Sequence, residues 1–145
     1  MAIAPRDARS WLLVPGTRTH DLDDTIRRCG PDAVVLDLED GVAPEDRARA
    51  RDEVHAWASR GGRAWIRVNA ATTADWSVDL EFAAWCPGIL GVVLAKAESA
   101  AQVDATAAAL GGLRRRSDRP DRVGDRNSRG GVDRAVELVD PLGVR

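Results

Sequence analysis

The sequence predicts an α/β fold of parallel strands, each followed by a helix. Three observations carry this. Short apolar runs recur at regular spacing as far as Leu110. Most end in polar groups, as in Asp37-Leu38-Glu39-Asp40-Gly41, Arg67-Val68-Asn69 and Lys96-Ala97-Glu98. Segments with helical spacing separate them. A strand that is apolar at successive positions is one buried on both faces, as in a parallel sheet. Regular β-α alternation implies right-handed crossovers between parallel strands. Carboxylates crowded at a strand end cost energy unless a cation, an arginine or protons offset them. Such ends are where α/β enzymes keep their chemistry.

The elements follow in order. Trp11 to Val14 is a strand, closed by the Pro15-Gly16 turn. Thr19 to Arg28 is a helix with Leu22 and Ile26 four apart, and Gly30-Pro31 stops it. Ala33 to Leu38 is the second strand. Pro44-Glu45-Asp46 opens the clearest helix, which runs to about Ser59. Proline suits a first helical turn, and the acids suit its dipole. Ala50, Val54 and Trp57 form its buried stripe, and Gly61-Gly62 ends it. Ala64 to Val68 is the third strand. Asp79 to Trp85 reads as a short helix closed by Pro87-Gly88. Ile89 to Ala95 is the fourth strand. Ser99 to Leu110 is an alanine-rich helix with Gly111-Gly112 as its stop.

Two architectures satisfy this order: a doubly wound open sheet, or part of an eight-stranded β/α barrel. No Gly-x-Gly-x-x-Gly turn follows the first strand, which weakens the dinucleotide-binding version. The chain has 145 residues, 44% of them hydrophobic, and a net charge of −2, so it has no general pull toward nucleic acid. Lys96 is the single lysine. Cys29 and Cys86 lack metal spacing and read as small buried residues in a reducing cytoplasm. No secretory signal is visible, and no apolar segment approaches the ~20 residues needed to span a bilayer.

The character changes at Leu113. From there to Gly130 the chain carries seven arginines and three aspartates among few apolar residues. Such a stretch reads as a solvated linker, and nothing in it supplies a buried fifth strand. From about Val132 the chain resumes an amphipathic helix. The expected organisation is thus 1–112 as a β/α unit, 113–130 as an irregular arginine-rich segment and 131–145 as a helix remnant.

Residues 9 to 110 resemble the citrate lyase β-subunit-like group of the HpcH/HpaI aldolase family. Arg9-Ser10-Trp11-Leu12-Leu13-Val14-Pro15-Gly16 is similar to its opening strand. Val35-Leu36-Asp37-Leu38-Glu39-Asp40-Gly41-Val42-Ala43-Pro44 resembles its second strand and loop. Ile66-Arg67-Val68-Asn69 and Leu94-Ala95-Lys96-Ala97-Glu98-Ser99 resemble the next two strand ends. Four motifs in the right order, each at an expected strand end, make the match specific.

The resemblance implies a partial TIM-type (β/α)8 barrel, with the first four β/α units intact and the fifth strand garbled. It implies Mg²⁺-dependent cleavage or formation of carbon–carbon bonds in hydroxyacyl-CoA thioesters of the citryl-, malyl- or citramalyl-CoA class. By the same resemblance the full-length parent is a homo-oligomer, a trimer or hexamer; the charge, cysteines and hydropathy above point to a cytoplasmic chain that binds neither nucleic acid nor membrane. Arg67 matches the family arginine that binds a substrate carboxylate, which a guanidinium can hold with two parallel hydrogen bonds; the alternative is a pair with an acid such as Asp37. Arg18 resembles a residue near the CoA or substrate. Glu39 and Asp40 resemble acids near the metal site, expected to hold metal-bound waters or Arg67, and Asp37 is a structural acid. Lys96 either pairs with these acids or approaches the substrate. His20 and His55 match no family ligand and read as helix surface residues.

The family's metal-binding glutamate and aspartate have no match, so the resemblance implies no intact metal site and little lyase activity in this fragment. The glutamate would fall near Arg126. Dropping one base before the codons for Arg122 to Ser128 permits the strand-like reading Val-Leu-Ala-Ile-Glu-Thr. We therefore expect compensating frame changes across 113–130, in the gene or in its sequencing; codons that forbid the shifted reading would exclude them. Two other functions stay open. One is a non-catalytic CoA- or carboxylate-binding remnant that uses Arg18 and Arg67. The other is an unrelated open-sheet domain whose Asp37, Glu39 and Asp40 bind Mg²⁺.

Overall fold

The computed structural model describes residues 3–117. Four strands, β1 (Trp11–Pro15), β2 (Ala33–Asp37), β3 (Ala64–Val68) and β4 (Ile89–Leu94), alternate with four helices. The helices are α1 (Leu22–Cys29), α2 (Arg47–Ser59), α3 (Ala74–Trp85) and α4 (Ala100–Ser117). Single 3-10 turns at Thr19–Asp21 and Pro44–Asp46 lead into α1 and α2. The strands are all parallel and lie in the order β1-β2-β3-β4. Each strand is laid beside the one before it, and the order never reverses. A doubly wound sheet has such a reversal, so that architecture does not apply to this sheet.

Alternation along the strands sends side chains to two faces. Val34, Leu36, Ile66, Val92 and Leu94 point to one face, where residues of all four helices cover them. Leu22 of α1, Val54 and Trp57 of α2, Leu80 of α3 and Leu110 of α4 meet there. The other face carries Val35, Trp65 and Val93, with Trp11, Ala33 and Leu90 beside them and no helix residue among this described cluster. Trp11 meets Trp65 edge-on, with ring centroids 5.9 Å apart. The Trp65 ring lies against Gly91 of β4, where a Cβ would stand 2.2 Å from it. Any larger residue at 91 would displace the indole.

Three expectations need correction. Helix α3 begins at Ala74, not at Asp79. Asp79 therefore sits mid-helix, and it is fully buried. Helix α4 does not stop at Gly111-Gly112 and continues to Ser117. Glycine costs a helix interior about 1 kcal/mol but ends it only when a left-handed residue or competing cap intervenes. Here Leu110 is fully buried and Leu113 packs on the core, which holds both flanks of the pair. Cys86 is buried as expected, but Cys29 is exposed at the end of α1. The histidines are as read from the sequence: His20 is exposed, and His55 lies at the surface of α2, tilted against Trp85.

The expected fifth-strand segment beyond Ser117, Arg126 and the helix at 131–145 lie outside the described residues. Among the described residues no helix is long and apolar enough to cross a membrane.

Candidate functional site

The C-terminal ends of β2, β3 and β4 bring four of the expected residues to one place and a fifth to its edge. Asp37 closes β2 and faces Arg67 of β3 directly across the ladder. Both belong to the face that carries Val35 and Trp65, because each is two residues on from one of them. Arg67 Nε and Nη2 donate to the two Asp37 carboxylate oxygens, each at 2.7 Å. The two parallel hydrogen bonds anticipated for a substrate carboxylate are thus made to Asp37.

Asp37 is 1% exposed, and four donors fill its oxygens. Oδ1 accepts from the Glu39 N–H at 2.9 Å and Oδ2 from the Gly41 N–H at 2.7 Å, beside the two bonds from Arg67. Burial alone would raise its pKa; the Arg67 guanidinium and the two amides outweigh it and hold the carboxyl below its ordinary 3.8. Gly41 is required for this approach, since a Cβ there would stand 2.6 Å from Asp37 Oδ2.

Lys96 follows β4 and reaches back across the sheet ends. Its Nζ lies 2.6 Å from Glu39 Oε1 and 3.2 Å from Asp40 Oδ1. The bonds to Glu39 and then Asp40 raise the ammonium pKa above its ordinary 10.5. Arg67 Nη2 stands 4.0 Å from the other Glu39 oxygen. Glu39 therefore sits between the two cations. Lys96 also has a positive φ of 51°, a left-handed backbone that costs a non-glycine residue about 1–2 kcal/mol. Such strain persists only where surrounding contacts enforce it. Here two carboxylates hold the side chain.

Arg18 follows β1 at the same end of the sheet, but its side chain pairs with Asp21 at 2.9 Å. The structure does not bring it into the Asp37–Arg67–Lys96 cluster.

Among the described residues no group of three or more His, Cys, Asp or Glu is placed to hold a metal ion. The donor chemistry agrees. Asp37 has four donors on its two oxygens, and Glu39 and Asp40 are held by Lys96. Carboxylates already neutralised by fixed cations make a poor direct ligand set for a divalent ion.

Residues 9–121 match the family model of HpcH/HpaI aldolase/citrate lyase. The chain belongs to this family. A citrate lyase subunit beta-like protein of Mycobacterium tuberculosis is 40% identical over 93 residues, covering 64% of this chain and 33% of the relative. Two solved family structures from the same organism superpose on this fold. Protein CitE in complex with magnesium, acetoacetate and coenzyme A is 37% identical with a TM-score of 0.58, covering 70% of this chain and 37% of its own. The citrate lyase beta subunit complexed with oxaloacetate and magnesium is 38% identical with a TM-score of 0.55, covering 66% and 41%. The chain spans about a third of the length of the curated family members it matches. Family membership removes the reading of an unrelated open-sheet domain.

Two polar residues next to this site, Asn69 and Asp79, were given no role from sequence. Asn69 follows β3 and is 1% exposed; its side-chain amide donates to the Leu38 carbonyl at 2.9 Å and to Asp79 Oδ2 at 2.7 Å. Asp79 itself pairs with Arg51 of α2 at 2.8 Å, and Asp75 pairs with Arg47 at 2.6 Å. A signal was present: Arg47 and Arg51 lie four apart on one helix, and Asp75 and Asp79 four apart on the other. Two complementary i,i+4 pairs of this kind suggest facing helices.

Proposed function

We propose that this chain forms the carboxylate-binding wall of an acyl-CoA lyase-type site, on the first four β/α units of a TIM-type barrel. The observation that carries the reading is the Asp37–Arg67 pair, with Lys96 beside it, at the C-terminal ends of adjacent parallel strands. Family structures bound to acetoacetate and coenzyme A, and to oxaloacetate, support a keto- or hydroxy-acid thioester as the ligand class. The sequential strand order, with helix residues on one face only, supports the barrel: the face of Val35, Trp65 and Val93 would be its inner wall.

Each residue then has a role. Asp37 takes the Nε–Nη2 edge of Arg67 and fixes its plane. That leaves the Nη1 donors for a ligand carboxylate. Lys96 supplies a second cation, held in place by Glu39 and Asp40. Arg18 pairs with Asp21 through Nη2 alone, which leaves its other donors for a CoA or carboxylate group. In cleavage of a carbon–carbon bond next to a thioester, negative charge develops on the enolate oxygen. Fixed cations in a water-poor site are suited to meet it.

Magnesium accompanies both family structures above, but the described residues offer it no direct ligand set. A non-catalytic reading is favoured for this polypeptide on its own by the same observation, that its strand-end carboxylates are already paired. Calorimetry with oxaloacetate, acetoacetate and CoA, alongside a lyase assay with citryl- and malyl-CoA plus Mg²⁺, tests both. Binding without turnover is the expected result. Robust turnover would overturn the non-catalytic reading, and absence of any binding would sink the carboxylate-binding one.

A further inference from the structure

A line of buried polar groups connects the strand-end site to the interface between α2 and α3. Asp79 has no exposed surface, and burial pushes its carboxyl above the ordinary 3.8, against the pull of its hydrogen bonds. A carboxylate so placed is costly unless its acceptor sites are filled. Oδ2 accepts from the Asn69 backbone N–H at 2.9 Å and from Asn69 Nδ2 at 2.7 Å, and Oδ1 from Arg51 Nη1 at 2.8 Å. Replacing a buried ion pair by apolar groups of similar volume is often neutral for stability. Stability alone therefore gives little reason for a carboxylate at this position.

Orientation gives a better one. An asparagine amide presents an oxygen on one side and an NH2 group on the other, and the two nearly match in shape. An acceptor-only carboxylate at 79 forces the NH2 side of Asn69 toward it. The same NH2 group then donates to the Leu38 carbonyl. The Leu38 N–H is held by the Arg67 carbonyl at 3.0 Å. The Leu38 backbone is thus fixed on both sides, immediately before Glu39. Glu39 is the residue that bridges Lys96 and Arg67.

We propose that Asp79 is a positioning residue for the strand-end site: by orienting the Asn69 amide it fixes the Leu38 carbonyl and sets where Glu39 meets Lys96. The proposal deepens the carboxylate-binding reading and rests on it for the effect on ligand alone.

Lys96 makes the test direct, because the single lysine gives one side-chain signal when the protein is 13C-methylated and followed by NMR. The charged groups facing it are Glu39 and Asp40, with Arg67 on the far side of Glu39. In Asp79→Asn the Lys96 pKa is expected to fall toward 10.5, and oxaloacetate binding to weaken several-fold. Asn69→Ala should do the same, and it carries the test if Asp79→Asn does not fold. Asp75→Asn loosens the same helix pair without touching Asn69, so it should leave Lys96 unmoved. A folded Asp79→Asn or Asn69→Ala protein with the wild-type Lys96 titration would overturn the proposal. An equal shift in Asp75→Asn would overturn it as well. If the wild-type protein binds no carboxylate, the functional reading fails while the Lys96 titration still decides this one.

Discussion

Arg67→Ala is expected to abolish carboxylate binding and to lower the unfolding free energy by about 3 kcal/mol, the low end of the cost of breaking a buried ion pair. The low end applies because the Arg67 side chain is a quarter exposed, whereas Asp37 is almost fully buried. Removing the arginine strands the Asp37 charge. Two backbone amides still reach it, but the burial that raises its pKa is no longer offset by the guanidinium. The pH dependence should change accordingly. In the wild-type protein the Asp37 carboxyl is held below 3.8, so its contribution to stability is present above that pH and is lost as pH falls through the lowered folded value. In Arg67→Ala the guanidinium no longer lowers the folded value, so this acid-side loss of stability should shrink or reverse. Urea denaturation at a series of pH values, with oxaloacetate calorimetry, measures both effects. Arg67→Lys keeps the charge but not the fork that grips both Asp37 oxygens, so it should recover only part of either. A variant with wild-type midpoints and affinity would show that this pair neither holds the fold nor binds ligand.

Trp57→Ala should destabilise the protein still more, by about 3–5 kcal/mol. Trp57 is 3% exposed on the inner face of α2. Its indole Nε1 donates to Asp23 of α1 at 2.8 Å, so one side chain fills the core and ties two successive helices. Trp57→Phe separates the parts. It keeps most of the ring volume and loses the hydrogen bond, and Asp23 is exposed enough to find water. A loss of about 1 kcal/mol is expected there. Chemical denaturation of the two variants gives the values. Equal costs for Ala and Phe would mean that the hydrogen bond, not the packing, matters.

The strands were legible because their signal is local: runs such as Val34-Val35-Leu36 and Trp65-Ile66 are apolar at successive positions, and only a sheet buried on both faces needs that. The meeting of Asp37, Arg67, Glu39, Asp40 and Lys96 was legible from their place at strand ends. The partners were legible only as alternatives: Arg67 with Asp37 and Lys96 with the acids stood beside substrate binding, and the spacing could not choose between them, because the choice depends on distances between elements. That Arg18 turns to Asp21 was not foreseen. Asp79, where α3 was expected to begin, was given no partner, because Asn69 and Arg51 are ten and twenty-eight residues away in sequence. Gly111-Gly112 misled because the packing of Leu110 and Leu113 overrides a local stop signal.

The unreversed strand order bears on how such a chain can come together. Every pair of neighbours in the sheet is also a pair of neighbours along the chain. No strand has to wait for a distant segment before it finds its place. Closing each loop costs about the same modest entropy, since that cost grows only slowly with loop length. A ribosome releases roughly 5–20 residues per second, so each strand can dock on an edge already exposed by the one before it. Assembly by addition keeps contacts short-range in sequence, where most parallel sheets are slow because theirs are not. The same geometry makes an open edge an ordinary stage in the growth of this fold.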